Sequence, residues 1–573
     1  MLSLLKAYHN FLLLALFFLS FEANLPSSSS SPTHLCSQTE ATALIQFKTS
    51  FSIDSVASSY CDDEIAGIKS YAKTESWKEG TDCCSWDGVS CDEKKGQVIG
   101  LDLSCSWLYG TFSSNSTLFH LQHLRELNLA FNYFNHSKMP SKFGGFPNLV
   151  YLNLSSSFFG GQVPLEVSHL SKLVSLDLSR NFYEPIDKVT FERLVGNQTE
   201  LRDLSLDGIN MSSVTPNALM NLSSSLRSLS LEDCDLRGNF PDEVNAFPNL
   251  ISLRLSSNLL NGTLPSWLFT APSSLRSIDL SYNQFSGQIK EFQSKSLEFL
   301  SLENNKLQGP ILSSISQQLN LVYLRLSYNN LSGVVEYEMF SKLQNLTILD
   351  LSYNRDLSLI NSNPSSADYT LPNLRYLGLA SCKVTEFPPF LKASKGLESL
   401  DLSNNRIQGK IPKWMWDVGK DSLTYLNLSH NSLTQVEHLP WTGIETLDLS
   451  SNVIHGDLPI PPYGTSVFFI SNNSLSGEIS SLICNVTSLE NLDLSHNNLS
   501  GVVPHCLGDL SSSLLMLNLG VNKLYGIIPP IFAEYCRLSF LDLNGNQLEG
   551  PLPRSIHNCR QLQVLDLGNN KIN

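Results

Sequence analysis

From residue 99 to the last residue, 573, apolar and polar positions recur in one short phrase, L-x-L-x-x-N. Its last position falls at Ser106, Asn132, Ser157, Asn181, Ile209, Cys234, Asn258, Asn283, Asn305, Asn329, Asn354, Cys382, Asn405, Asn431, Asn452, Asn473, Asn497, Asn522, Asn546 and Asn570. These twenty copies span 464 residues in nineteen intervals, a period of about 24. In the copy LVYLRLSYNNLSG at 321–333, Leu324 and Leu326 alternate with Tyr323, Arg325 and Ser327. Such alternation predicts a short strand with one buried and one wet face. Because every copy runs the same way, neighbouring strands must be parallel.

The period lies in the range of leucine-rich repeats, about 20 to 29. The expected fold is therefore an α/β solenoid, a right-handed leucine-rich-repeat superhelix with a concave parallel β-sheet, about 20 repeats and a disulfide-bonded N-terminal cap. One coil alone cannot hide its leucines, and stacking hides them. Each buried leucine then contributes about 1.5–3 kcal/mol before conformational entropy is subtracted. Asn329 stands where the chain turns, so its amide is expected to bond backbone groups of its own and the adjacent coil. Repeated, that makes an asparagine ladder. Ser106, Ser157, Cys234 and Cys382 are small substitutes that keep a weaker donor inside, whereas Ile209 has none and predicts a local irregularity. Many copies continue L-x-G-x-x-P, as in Leu260, Gly262 and Pro265, which predicts a tight change of direction and a short helical or irregular return on the convex side.

The N-terminus adds a compartment. The run FLLLALFFLSF at 11–21 follows Lys6 and is too short to span a bilayer, so 1–23 reads as a signal peptide, 24–35 as a flexible leader, 36–98 as a cysteine-rich cap and 99–573 as repeats ending without a C-terminal cap. Twelve cysteines in a secreted chain point to disulfides. Cys83 and Cys84 are neighbours and need different partners. The first-choice pairing is Cys84 with Cys91 and Cys83 with Cys36, leaving Cys61 with Cys105, other connectivities staying open. Cys484 and Cys506, and Cys536 and Cys559, lie close to one period apart and are expected to staple adjacent coils, free buried thiols being the alternative. Cys234 and Cys382 read as free and buried. DCCSWDGVSCD at 82–92 holds neither histidine nor a C-x-x-C pair, so no metal is expected. Ser37 and Glu40 form a capping box ahead of a helix that lids the first coil.

Acceptor sites N-x-S/T for glycosylation stand at Asn115, Asn135, Asn153, Asn197, Asn210, Asn221, Asn261, Asn330, Asn345, Asn427, Asn472, Asn485 and Asn498. Asn153 and Asn427 take outward strand positions, where glycans would obstruct the concave face. The stretch between them is left as the open surface.

The segments LCSQTEATALIQFKTSF, Trp77, DCCSWDGVSCD and VIGLDLSCSWLYG resemble the cap and first coil of plant leucine-rich-repeat receptor-like proteins, most closely the branch that recognises fungal pathogens. The L-x-G-x-I/L-P repeats carry the resemblance along nearly the whole mature chain. It implies a protein that continues past Asn573 into further repeats, a membrane helix and a short cytoplasmic tail. With no membrane segment of about 20 apolar residues, this chain reads as a truncated ectodomain. The resemblance also implies an extracellular protein or peptide ligand, a receptor kinase or co-receptor as partner, and a place on the outer face of the plasma membrane, or in the apoplast if no membrane helix follows.

The candidate ligand-binding residues are the outward strand positions of the open middle: Arg254, Tyr282, Phe299, Tyr323, Arg325, Tyr328, Tyr353 and Tyr376. Tyrosine and arginine give large contacts at low entropic cost. Stacking of aromatics along neighbouring strands for stability is the competing explanation. Catalysis finds no support. The aspartates of the LDLS phrase, Asp102, Asp177, Asp279, Asp350, Asp401, Asp448, Asp493, Asp542 and Asp566, are expected to form an exposed row rather than an acid/base pair. No phosphate-cradling motif occurs, no cofactor is implied, and a net charge of -15 opposes a nucleic-acid partner. Two functions follow from this reading: the ligand-recognition ectodomain of an immune receptor without a kinase, or a secreted inhibitor or decoy of microbial wall-degrading enzymes.

Overall fold

The computed structural model describes residues 36–62, 67–243, 247–270, 274–361 and 370–573. The expected signal segment and leader lie outside them. Twenty-one strands, nearly all of three residues, pair in sequence order from Val89–Cys91 to Val564–Asp566. The first pair is antiparallel and closes that edge. All later neighbours in this sheet are parallel and in strict register, as where Leu300 faces Leu324 and Leu324 faces Leu349. The central residue of each strand points inward and forms the continuous apolar spine of a leucine-rich-repeat solenoid. The return path is mostly single turns of 3-10 helix, such as Ser313–Gln317 and Arg554–Asn558. In the last coil Leu565 occupies the inward position and is 41% exposed.

The ladder satisfies the turn. Asn329 donates from Nδ2 to the carbonyls of Leu302 in the preceding coil (2.9 Å), Leu326 (3.2 Å) and Ser327 (3.1 Å), and its Oδ1 accepts the Leu307 amide at 2.9 Å. Each such bond contributes about 1 kcal/mol net, and leaving a buried partner unmade costs more. The small substitutes donate too: Ser157 Oγ to Leu129 O at 2.7 Å and Cys382 Sγ to Leu351 O at 3.1 Å. They belong to a second form of turn. In asparagine coils the residue before the ladder position has positive φ, whereas Ser157, Cys234 and Cys382 have positive-φ residues on both sides, for example Ser381 (57°) and Lys383 (51°) around Cys382. That turn frees the ladder residue's own amide, which the next asparagine takes: Asn405 Oδ1 accepts from both Cys382 N (3.0 Å) and Val384 N (2.9 Å). At Ile209 the expected irregularity takes the form of a tight turn, with the Ile209 amide bonding back to Leu206 O at 3.2 Å within its own coil.

The L-x-G phrase does more than turn. It forms a second set of parallel ladders on the flank, six strands from Arg237–Asn239 to Asp356–Ile360 and four from Ser500–Val502 to Lys571–Ile572. Gly262 at φ 81° shows why glycine stands there: a Cβ would come 2.8 Å from Asn239 Oδ1.

In the cap, helix Gln38–Lys48 starts at Ser37, whose Oγ accepts the Glu40 amide at 3.3 Å. The capping box is only half made. The Glu40 carboxylate reaches instead to the Val98 amide (3.3 Å), tying helix to sheet edge. Disulfides join Cys36 to Cys83, Cys61 to Cys105, Cys84 to Cys91, Cys484 to Cys506 and Cys536 to Cys559, while Cys234 and Cys382 are free and buried.

Candidate ligand-binding face

The third residue of every strand faces the concave side, giving one row across the sheet: Arg254, Asp279, Ser301, Arg325, Asp350, Gly378, Asp401, Asn427 and Asp448 are successive members. The aspartates in it are not the exposed row expected from the sequence. Only Asp102 is exposed and the rest are buried or half-buried, and each carboxylate, Asp102 included, caps the turn that follows. Asp279 Oδ1 accepts Ser281 N at 3.1 Å and Ser281 Oγ at 2.6 Å, and Asp493 treats Ser495 in the same way at 3.0 and 2.6 Å. Asn153 and Asn427 do the same for Ser155 and Ser429. Burial holds the Asp350 and Asp401 carboxyls above the usual range. Their environments are alike rather than opposed, so the row offers no acid/base pair.

The two arginines also differ from expectation. Arg254 Nε lies 2.6 Å from Glu232 and Arg325 Nη1 lies 3.6 Å from Glu303, with side chains only 12% and 13% exposed. Both serve first as internal partners of a glutamate one coil back. Arg325 is also sandwiched, its guanidinium carbon 4.9 Å from the Tyr323 ring centre and 5.7 Å from that of Tyr376. Tyr323 stacks on Phe299 with centroids 4.3 Å apart.

Tyr282, Tyr328 and Tyr353 are not strand residues. They lie beyond the strand ends, each just before a ladder asparagine, at φ 52°, 53° and 60°. That left-handed backbone is costly for a bulky residue. It swings the rings outward, leaving them 50%, 53% and 38% exposed. Tyr328 and Tyr353 stack at 4.3 Å. Burial and then Tyr353 push the Tyr328 phenol up to about 12, and burial pushes Tyr323 and Tyr376 higher still, so all three keep their O–H donors at physiological pH.

The eight candidates thus share one face in two tiers. Arg254, Phe299, Tyr323, Arg325 and Tyr376 make a partly buried floor, and Tyr282, Tyr328 and Tyr353 an exposed rim. Sequence reading missed Glu232 and Glu303. The signal was present, because each replaces the repeat's small residue two places after the row and is followed one coil later by arginine.

Among the described residues no helix is long and apolar enough to cross a membrane. Residues 37–92 match the leucine-rich-repeat N-terminal domain family. Residues 372–433 and 487–548, and three shorter stretches at 249–271, 274–294 and 296–318, match leucine-rich-repeat families. Receptor-like protein 6 of Arabidopsis thaliana is 34% identical over 634 residues, covering 87% of this chain and 63% of its own length. Receptor-like protein Cf-9 of Solanum pimpinellifolium is 44% identical over 241 residues, 42% of this chain and 28% of its own length. The leucine-rich-repeat ectodomain of the Arabidopsis receptor kinase HAESA, solved in complex with an N-terminally extended IDA peptide hormone, superposes with a TM-score of 0.69 at 29% identity over 93% of each chain. With its cap, ladder and stacked coils in place, the chain belongs to the plant leucine-rich-repeat receptor-like proteins.

Proposed function

We propose that this chain is the ligand-recognition part of a plant cell-surface immune receptor that has no kinase of its own and signals through partner kinases. Its ligand is an extracellular protein or peptide seated on the concave face between the sequon strands of Asn153 and Asn427. The observation that carries this reading is the tyrosine rim. Tyr282, Tyr328 and Tyr353 hold costly positive-φ backbone and remain exposed. The positive φ belongs to the turn of every asparagine coil, and what sets these three coils apart is an exposed tyrosine ring at that position, which suits a binding surface. The HAESA ectodomain, similar over nearly the whole chain, was solved with a peptide hormone, which supports a peptide or protein as the class of ligand.

The test is binding of the purified, secreted chain to peptide fractions of fungal culture filtrate. Replacing the three rim tyrosines together with alanine is expected to weaken a captured ligand by at least about tenfold while the thermal midpoint stays put. Unchanged affinity contradicts the assignment of the face.

A further inference from the structure

We propose that the groove between the 3-10 turn Leu165–His169 and the helix Lys188–Gly196 holds the first sugars of a glycan carried by Asn197. The groove lies on the return side of the coils, so the inference stands apart from the ligand face.

The groove arises from the length of one coil. The interval from Asn181 to Ile209 is 28 residues, against a period of about 24. The extra residues replace the usual single turn with a helix of 9 residues, Lys188–Gly196, started by Asp187, whose carboxylate accepts the Thr190 amide at 2.7 Å. Between this helix and the shorter turn of the preceding coil an open groove of about 490 Å³ remains, inside the range of about 300–1,000 Å³ usual for small-molecule sites. Asn197 ends the helix and lines the groove. Beside it Gly196 is open, since a Cβ there would meet nothing within 4 Å. The next residue, Gln198, is buried, and its Nε2 donates to Val167 O at 3.2 Å, which pins the acceptor motif Asn197–Gln198–Thr199 to the opposite wall.

The acceptor amide is free for attachment. Asn197 is exposed, and among the described residues nothing bonds its side chain. By contrast, Nδ2 of Asn210 donates to Asp235 at 2.8 Å, that of Asn345 to Leu319 O at 3.1 Å and that of Asn472 to Ser451 Oγ at 3.1 Å. The walls suit a sugar. Leu165, 39% exposed, gives an apolar surface for the carbon-bound hydrogens of a pyranose ring. Glu166 and His169 on one wall, and Glu192 and Arg193 on the other, offer acceptors and donors for hydroxyls and an acetamide. Their charges are of both signs, and Glu192 is already paired with Lys188 at 3.7 Å, so a neutral polyhydroxylated group fits better than an ion. A sugar fixed to Asn197 meets these walls at high effective concentration, so weak contacts are enough to seat it.

The full chain is secreted from cells held at the high-mannose stage and its glycopeptides are mapped by mass. Endoglycosidase H, which cuts between the two inner N-acetylglucosamines, is then applied to folded and to denatured protein. Asn197 is expected to be occupied. In folded protein its glycan is expected to be trimmed at least about tenfold more slowly than those at the other occupied acceptors, the difference vanishing on denaturation. Leu165→Ser, which removes the apolar wall, should bring Asn197 to the rate of the others. Thr199→Ala abolishes the acceptor while leaving Asn197 in place, and is expected to speed hydrogen exchange in Lys188–Gly196 as Asn197→Gln does. An unglycosylated Asn197, trimming as fast as elsewhere, or a rate unmoved by L165S overturns the proposal. So does faster exchange in N197Q without the same change in T199A, which assigns the effect to the side chain alone. Neither readout involves a ligand, so failure here leaves the concave-face reading untouched.

Discussion

The guanidinium of Arg325 lies 4.9 Å from the centre of the Tyr323 ring, one strand residue away from it on the same wet face of the sheet. Both are held by the coil before: Tyr323 by stacking on Phe299, Arg325 by Glu303. Arg325→Ala therefore strips a half-buried glutamate of its partner and is expected to lower stability by about 1–3 kcal/mol, read as a drop in thermal midpoint. Adding Glu303→Gln should restore part of the loss. A midpoint that does not move with R325A would show the pair to be idle.

Asn329 should be more costly to truncate than a small ladder residue. Asn329→Ala removes donors to three carbonyls and the acceptor of the Leu307 amide, a loss of about 2–4 kcal/mol, whereas Ser157→Ala removes one hydroxyl that bonds two carbonyls. Because each coil touches only its neighbours, the damage should be local. Hydrogen exchange is expected to accelerate at Leu307 in N329A and not in coils several repeats away.

Asp207 gives the face a pH dependence. Its Oδ1 accepts the Glu232 amide at 2.8 Å, and burial followed by the Glu232 charge pushes its carboxyl up to about 7. The folded chain keeps this proton where the unfolded chain, near 3.8, has released it. The group's contribution to stability is therefore fully present below about pH 4 and is lost as pH rises through about 7. In Asp207→Asn the thermal midpoint should vary less across that window than in the natural protein. Parallel curves would place the proton elsewhere.

Much of this was legible in the residues themselves. Leu324, Leu326 and Asn329 announce strand and ladder because their roles repeat at a fixed spacing, and the spacing of Cys484 and Cys506 matches one coil. What stayed hidden depends on partners one coil away. Arg254 and Glu232 are 22 residues apart in the chain, and their ion pair exists only once the strands are in register. The tyrosines at 282, 328 and 353 look like strand residues until the backbone is seen to reverse sign there. The LDLS aspartates look exposed because alternation says which way a side chain leaves the strand, not that the serine two residues on will fold a turn over it. The flank ladders were missed because L-x-G-x-x-P reads as a bend, and only stacking shows the bends pairing with one another.

The central claim, that ligand sits on the concave face between Asn153 and Asn427, can be tested with a single added sugar. Asp279→Asn turns Asp279–Leu280–Ser281 into a glycosylation acceptor, and Asn153 and Asn427 already show asparagine serving as the serine cap in this row. Ligand affinity is measured for glycosylated D279N beside D279N/S281A, which lacks the acceptor. Loss of binding only in the glycosylated form is the result expected; equal binding by both, with the glycan verified by mass, would contradict the account.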